Sequence, residues 1–378
     1  MINRSTATTT SSTATSFIDL FKLTTTSMNS LIILLVSSLL VLFVNEILAF
    51  QRLLPVTRTG SKILFMISPA ASLLRKNKQK EIEILKKEVA ESNGDHFITK
   101  FLANNTQRPF GVGKPIDFFN ATSWSFNTIT VIPEFNRKSK TGFIVGMPPP
   151  VILGGILRDA GAKAIVVSTD KRSGGSTILD VEQFAREQTN ARIFSPGPIP
   201  IVLNDFIVDN IQIEQAAAVG AAAVTLTPEL TDNLDEQIAH CKKLNIEPIV
   251  MVKTLEEGKL AVELGSRVIC LHQLEEEELI ELRQQLPTKP GLIYGAKLRS
   301  SSEFSTYSEI DTSWVLRDSQ FSFVWPTPES VFGNGFQDIY SVCLAMRSKA
   351  ARLFLSPRQF LMDRKKEGAQ EYLGDILY

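Results

Sequence analysis

Three stretches of the chain share one pattern of apolar and polar positions. Ile156-Leu157-Arg158-Asp159-Ala160-Gly161 leads into Ala164-Ile165-Val166-Val167. Glu214 to Val219 and then Gly220 lead into Ala223-Val224-Thr225-Leu226, and Leu260 to Leu264 with Gly265 lead into Val268-Ile269-Cys270-Leu271. Each reads as a helix closed by a glycine in the left-handed conformation, followed within a few residues by a short strand. The strands are apolar at consecutive positions, which marks parallel strands covered by helices on both faces.

The same reading along the whole chain predicts strands near 128–135, 163–169, 199–205, 222–228, 246–252, 267–272, 291–296 and 321–326. Helical patterns fall between most of them, at Val151–Ala160, Thr177–Gln188, Asn233–Lys243, Leu255–Leu264 and Glu275–Gln285, with a last long one near Phe336–Phe354 and the faintest over Ser300–Ile310. Eight strand–helix units predict an α/β protein, a closed (β/α)8 TIM barrel, with a doubly wound open sheet as the alternative. No G-x-G-x-x-G follows any of the strands, which counts against the dinucleotide-binding form of the open sheet. Ahead of the barrel, Leu73–Ala90 spaces Ile82, Leu85 and Val89 on one face of a Lys- and Glu-rich helix. The expected organisation is a leader over 1–72, a helical extension over 73–127 and the barrel over 128–378.

Composition narrows the classes of partner. Forty basic and forty acidic side chains cancel, so no overall field points to nucleic acid or a membrane surface. Three cysteines (Cys241, Cys270, Cys343) and three histidines (His96, His240, His272) lie far apart without metal-ligand spacing. Buried free thiols and no bound metal are the expectation.

The N-terminal region reads as an address. Ser5–Ser16 is a Ser/Thr/Ala tract too polar to build a core. Leu31 to Val44 is an uncharged apolar run of about fourteen residues, nearer a signal-peptide core than a span of about twenty. From Gln51 to Lys80 there are seven basic residues and no acidic one, which has transit-peptide character. The order of apolar signal, Ala49-Phe50 and basic stretch resembles the bipartite presequences of algae with secondary plastids. The expectation is a plastid protein that meets a membrane only through this segment before cleavage. The alternatives are the secretory pathway and a retained anchor over Leu31–Phe50.

The first and third strands carry a more specific resemblance. The first reads Val131-Ile132-Pro133-Glu134-Phe135-Asn136-Arg137-Lys138-Ser139-Lys140-Thr141-Gly142, the third Ile201-Val202-Leu203-Asn204-Asp205-Phe206-Ile207-Val208-Asp209 with Gln212-Ile213 beyond. With Ala160-Gly161-Ala162 and Thr169-Asp170 before Gly174-Gly175-Ser176, they resemble the indole-3-glycerol-phosphate synthase family of tryptophan biosynthesis. That family carries V-I-A-E-x-K-R-x-S-P-S-x-G and P-V-L-x-K-D-F-I-x-D-x-Y-Q-I at these strands and a helical extension before them. The resemblance runs from about Leu73 to the C-terminus and thins after about Leu230. It implies a carboxy-lyase that closes an indole ring on a carboxyphenylamino-deoxyribulose phosphate without a cofactor. Such chemistry needs cations for the carbonyl and the carboxylate, a carboxylate base, and backbone amides for the phosphate.

Carried over residue by residue, the resemblance keeps Glu134, Arg137 and Ser139. The lysine between them is Asn136, and the third-strand lysine, the general acid of the family, is Asn204. The fifth-strand glutamate falls on Met251, the sixth-strand asparagine on His272, and the seventh-strand E-S-G-I on Gly295-Ala296-Lys297-Leu298. The phosphate-loop glycine after the eighth strand falls on Pro328, before Glu329-Ser330. An asparagine amide does not ionise near neutrality and cannot replace lysine as an acid, and methionine is no base.

Each retained residue has two readings. Glu134 is either a mouth carboxylate or an inherited one paired with Arg137 or Lys138. Ser139 with Gly142, and Ser330, are candidates for phosphate contact or plain loop residues. Lys297 could replace a lost cation or point into solvent, and His272 could act in proton transfer or be structural. Trp314 and Trp325 read as packing, and Glu275–Glu278 as a solvated helix start. Two functions stay open: a family member with impaired or lost catalysis in a binding, regulatory or assembly role, and an active synthase or related sugar-phosphate lyase or isomerase. If either binds a ligand, the expectation is a phosphorylated small molecule like the carboxyphenylamino-deoxyribulose phosphate; a protein partner is not legible.

Overall fold

The computed structural model describes residues 58–59, 62–63, 68–104, 108–123, 128–139, 142–143, 147–170, 174–299, 306–332 and 339–348. The chain divides into two units, Met1–Leu64 and Phe65–Tyr378. In the first, Arg58–Thr59 pairs antiparallel with Lys62–Ile63. The apolar run Leu31–Val44 lies outside the described residues, and among these no helix is long and apolar enough to cross a membrane.

The second unit is a barrel. Its first strand, β1, runs in two short pieces, Thr130–Val131 and Glu134–Phe135. Pro133 interrupts it, because proline has no N–H to give to a ladder. Then follow β2 (Ile165–Ser168), β3 (Ile201–Asn204), β4 (Ala223–Leu226), β5 (Glu247–Val252), β6 (Val268–Leu271), β7 (Ile293–Lys297) and β8 (Phe323–Trp325). Every pairing between neighbours is parallel. The first piece of β1 pairs with β8 and the second with β2. One stretch therefore forms both ends of the sheet order, and the sheet closes on itself. All eight predicted strands are present.

The helices follow the predicted order, numbered along the chain: α1 (Pro69–Glu91), α2 (Phe97–Asn104), α3 (Phe118–Thr122), α4 (Pro150–Asp159), α5 (Ile178–Asn190), α6 (Asn210–Ala218), α7 (Leu234–Lys243), α8 (Leu255–Glu263), α9 (Glu276–Gln285), α10 (Thr306–Asp318), α11 (Pro328–Phe332) and α12 (Ile339–Arg347). The glycines Gly161, Gly220 and Gly265 that end the three repeats have φ of +82°, +92° and +77°, as the left-handed helix ending requires. Four first turns carry reciprocal caps, including Thr254 with Glu257 and Glu275 with Glu278, so the acidic run at 275–278 serves the start of α9. Helix α10 starts at Thr306, inside the faint pattern at 300–310, and runs on to Asp318, burying Glu309, Ile310, Ser313, Trp314 and Leu316; residues 300–305 lie outside the described ones.

Inside the barrel, alternate residues of each strand meet: Ile132, Ala164 and Val166, Val202, Ala223, Ile249 and Met251, Val268 and Cys270, Ile293, and Phe323 with Trp325. Phe118 of α3 joins this core, its ring edge-on to Phe323 at 5.9 Å. Inward-facing Gly295 makes room for the Phe323 ring, since a Cβ there would stand 1.9 Å from it. The three cysteines are free and buried, their thiols pushed up to about 12 chiefly by burial.

Helix α1 begins at Ser68, whose hydroxyl accepts from the Ala71 N–H, and lies against the loops after β3 and β4. Arg75 meets Asp232 at 2.5 Å, Lys86 meets Asp209 at 2.5 Å, and Lys78, 6% exposed, reaches Asp205 at 2.7 Å.

Candidate functional site

Because side chains alternate along a strand, the residues that continue the inward rows at the C-terminal ends form one ring. They are Glu134 on β1, Ser168 on β2, Asn204 on β3, Thr225 on β4, Met251 on β5, His272 just past β6, Lys297 on β7 and Trp325 on β8. This is the end of the barrel where the fold keeps its sites.

Glu134 is at the centre of this ring and only 3% exposed. Its Oε1 accepts from the Ser168 hydroxyl at 2.7 Å and from the Asn204 amide at 3.4 Å. Its Oε2 accepts from the Trp325 indole N–H at 2.8 Å and pairs with the Lys297 ammonium at 2.9 Å. Asn204 also donates to Ser168 at 2.8 Å and accepts from Thr225 at 3.0 Å. Burial alone pushes the Glu134 carboxyl up, but the Lys297 charge and the hydrogen bonds from Ser168, Lys297 and Trp325 outweigh it and hold the pKa below the usual range. Glu134 is therefore a stabilised carboxylate with both oxygens occupied. Its cation comes from β7, the second strand along through β8, and not from Arg137 or Lys138 nearby.

The other sequence-stated positions distribute unevenly. Arg137 turns to Asp180 of α5, with bonds of 2.5 and 3.2 Å, and lies over the Phe135 ring. Asn136 lies against the loop after β2, and its buried Oδ1 has no hydrogen-bond partner. Ser139 begins a small antiparallel turn, Lys138–Ser139 with Gly142–Phe143; its side chain is outside the described residues. Met251 is core. Ala296, between inward Gly295 and Lys297, faces the helices and is fully buried.

His272 has a buried Nε2 without a hydrogen-bond partner. Burial, with Lys297 and Lys253 nearby, pushes its pKa down to about 4, so the ring is neutral at physiological pH. Lys253, just past β5, is a mouth cation that sequence reading passes over; it pairs with Glu229 after β4. The signal for it was its place two residues beyond Met251 on the inward row.

Trp325 is both a packing residue and a ligand of Glu134, and the Lys297 ammonium lies 4.1 Å from its ring centre. At the start of α11 the Ser330 hydroxyl donates to Glu309 of α10 at 2.6 Å, and the Thr327 N–H and hydroxyl donate to the same carboxylate at 3.1 and 2.5 Å. The loop after β8 is where barrels of this class often hold phosphate. Here an internal carboxylate takes those donors, and Pro328 offers no N–H. Among the described residues no three His, Cys, Asp or Glu side chains gather as a metal site.

Comparison with known proteins agrees with this architecture. The family model for indole-3-glycerol phosphate synthase matches residues 75–287. The indole-3-glycerol phosphate synthase of Leptospira interrogans serogroup Icterohaemorrhagiae serovar copenhageni is 27% identical over 196 residues, covering 48% of this chain and 73% of that protein. That of Ruminiclostridium cellulolyticum is 26% identical over 245 residues, covering 62% and 86%. That of Rhodococcus opacus is 28% identical over 198 residues, covering 50% and 70%. The family model spans from within α1 to just past α9, more than half of the 378 residues, and the chain belongs to the indole-3-glycerol phosphate synthase family.

Proposed function

We propose that this barrel has lost the ring closure of its family and serves in the plastid as a non-catalytic member that binds a phosphorylated, carboxylate-bearing small molecule. One observation carries the reading. The carboxylate retained from the family, Glu134, has all its capacity spent on Ser168, Asn204, Trp325 and Lys297. A carboxylate held ionised in this way is a weaker base than a free one. The positions of the two family lysines hold Asn136 and Asn204, so protonation of the substrate oxygen has no donor on β1 or β3. The mouth cations that an anionic ligand would meet are Lys297 and Lys253, on either side of His272, and it would share them with Glu134 and Glu229. The plastid assignment rests on the apolar run, Ala49-Phe50 and acid-free basic stretch at the N-terminus.

The experiment is turnover and calorimetry side by side with the carboxyphenylamino-deoxyribulose phosphate. Heat of binding without product supports the reading. Turnover at an ordinary rate, or rescue of a tryptophan auxotroph lacking the synthase, refutes it and favours the second reading, in which Lys297 has taken over as the mouth cation.

A further inference from the structure

The two carboxylates that neutralise the mouth cations are held in different ways. Glu134, the partner of Lys297, is fixed from β2, β3, β7 and β8. Glu229, the partner of Lys253, stands on a short turn after β4, Pro228–Leu230. Its Oε2 meets the Lys253 ammonium, and its Oε1 accepts from the Ser68 N–H at 3.3 Å. Ser68 is the residue that caps α1. One carboxylate therefore joins the mouth to a helix outside the barrel.

The extension helix grips the same loop a second time, through Arg75 and Asp232 at 2.5 Å. The place of Glu229 is thus set from α1 as much as from the mouth. Burial pushes the Glu229 carboxyl up, but the bonds from Lys253 and Ser68 outweigh it and hold it below the usual range. Glu257, the other carboxylate near Lys253, is spent on the backbone N–H groups of Lys253 and Thr254, at 2.8 and 3.3 Å. Lys253 keeps 35% of its side chain exposed, so a solute can reach its ammonium. The later turns of α1 are anchored elsewhere, by Lys78 to Asp205 and Lys86 to Asp209 on the loop after β3.

We propose that Glu229 is a latch between the extension helix and the mouth: docked α1 holds Glu229 on Lys253, and an anion that takes the Lys253 ammonium loosens the first turns of α1. The response to an anion rests on the mouth taking the ligand proposed above; the coupling does not. Coupling of this kind is reciprocal. Weakening the hold of α1 on the loop makes Lys253 more available, and removing Lys253 frees the start of α1. Lys297 stays outside the coupling, because its partner is held by strands.

Acetylation of the folded chain, read by peptide mass spectrometry at Lys253 and Lys297, tests this together with hydrogen exchange along α1. Arg75→Ala lies outside the mouth, yet it should raise acetylation of Lys253 about threefold, the worth of one part-exposed ion pair, and leave Lys297 unchanged. In a Glu229→Gln background the same substitution should add nothing, because the linking carboxylate is gone. Lys253→Met should speed exchange at residues 71–76 and not at 84–91. Circular dichroism of each variant checks that the fold is intact. Calorimetry with the carboxyphenylamino-deoxyribulose phosphate runs alongside: where heat shows binding, Lys253 should be protected and exchange at 71–76 should rise. The proposal is overturned by Lys253 labelling that ignores Arg75→Ala, by an equal rise in the Glu229→Gln background, by uniform exchange after Lys253→Met, or by binding that leaves residues 71–76 unchanged. Absence of heat refutes the proposed ligand, and the three substitutions then decide the latch without it.

Discussion

Replacing Lys297 by methionine removes the charge that offsets the burial of Glu134 while keeping an apolar stem beside Trp325. Taking one partner from a buried ion pair costs about 3–5 kcal/mol, because the other charge is left uncompensated. Glu134 would keep its bonds to Ser168, Asn204 and Trp325, and Lys297 is 28% exposed at its side chain, so the lower end, about 3 kcal/mol, is the expectation. The double variant Glu134→Gln with Lys297→Met removes both charges, and its cost should fall about 2 kcal/mol short of the sum of the single ones. Urea unfolding followed by tryptophan fluorescence at pH 8 measures all four corners of the cycle. The effect has a pH signature. In the native protein the Glu134 pKa lies below its unfolded value, so its contribution is full above the unfolded pKa and is lost as pH falls through the folded one. Without Lys297, burial dominates and the folded pKa rises above the unfolded one. Protonation then relieves the variant, and the gap between the two proteins narrows as the solution is acidified from pH 8 to pH 5. A cost under about 1 kcal/mol, additive single effects, or a gap that widens with acid would refute the reasoning.

Three further tests address other parts of the molecule. The His272 ring, pushed down to about 4, should show flat imidazole NMR shifts from pH 8 to about pH 5; because the unfolded chain takes up this proton near pH 6.5, His272 stability is full above that value and is lost as pH falls toward 4, so His272→Asn should unfold at lower pH than the native chain. Lys78→Met leaves buried Asp205 without its ammonium and should cost about 3–5 kcal/mol, with hydrogen exchange accelerated over residues 69–91 more than in β5 and β6; uniform acceleration would contradict an α1-centred role. Gly295→Ala drives a Cβ into the Phe323 ring, and overpacking of this kind should cost about 3 kcal/mol in urea unfolding.

The eight strands were legible because each is a short apolar run, and the order of helix, glycine and strand recurs with a spacing that only a parallel sheet with outer helices satisfies. The short helices α2, α3 and α11 were not legible. Their formation rests on contacts such as Phe118 against Phe323, which no local period records. The site residues divide in the same way. Glu134, Asn204 and His272 could be placed at strand ends from the sequence, and period-two alternation would have added Lys253. That Ser168, Trp325 and Lys297 all converge on Glu134 could not be read from the chain. Lys297 is 163 positions away along it, and only closure of β8 onto β1 brings β7 within reach.

By itself the sequence determined the class of fold and the family, because these depend on residue type and on spacing along one strand. The tertiary structure decided which cation Glu134 pairs with, that Ser330 and Thr327 serve Glu309, and that Lys78 crosses from α1 to Asp205. Those are pairings between distant segments. The energy of a buried charge depends on what surrounds it in space, and spacing along the chain does not contain that information.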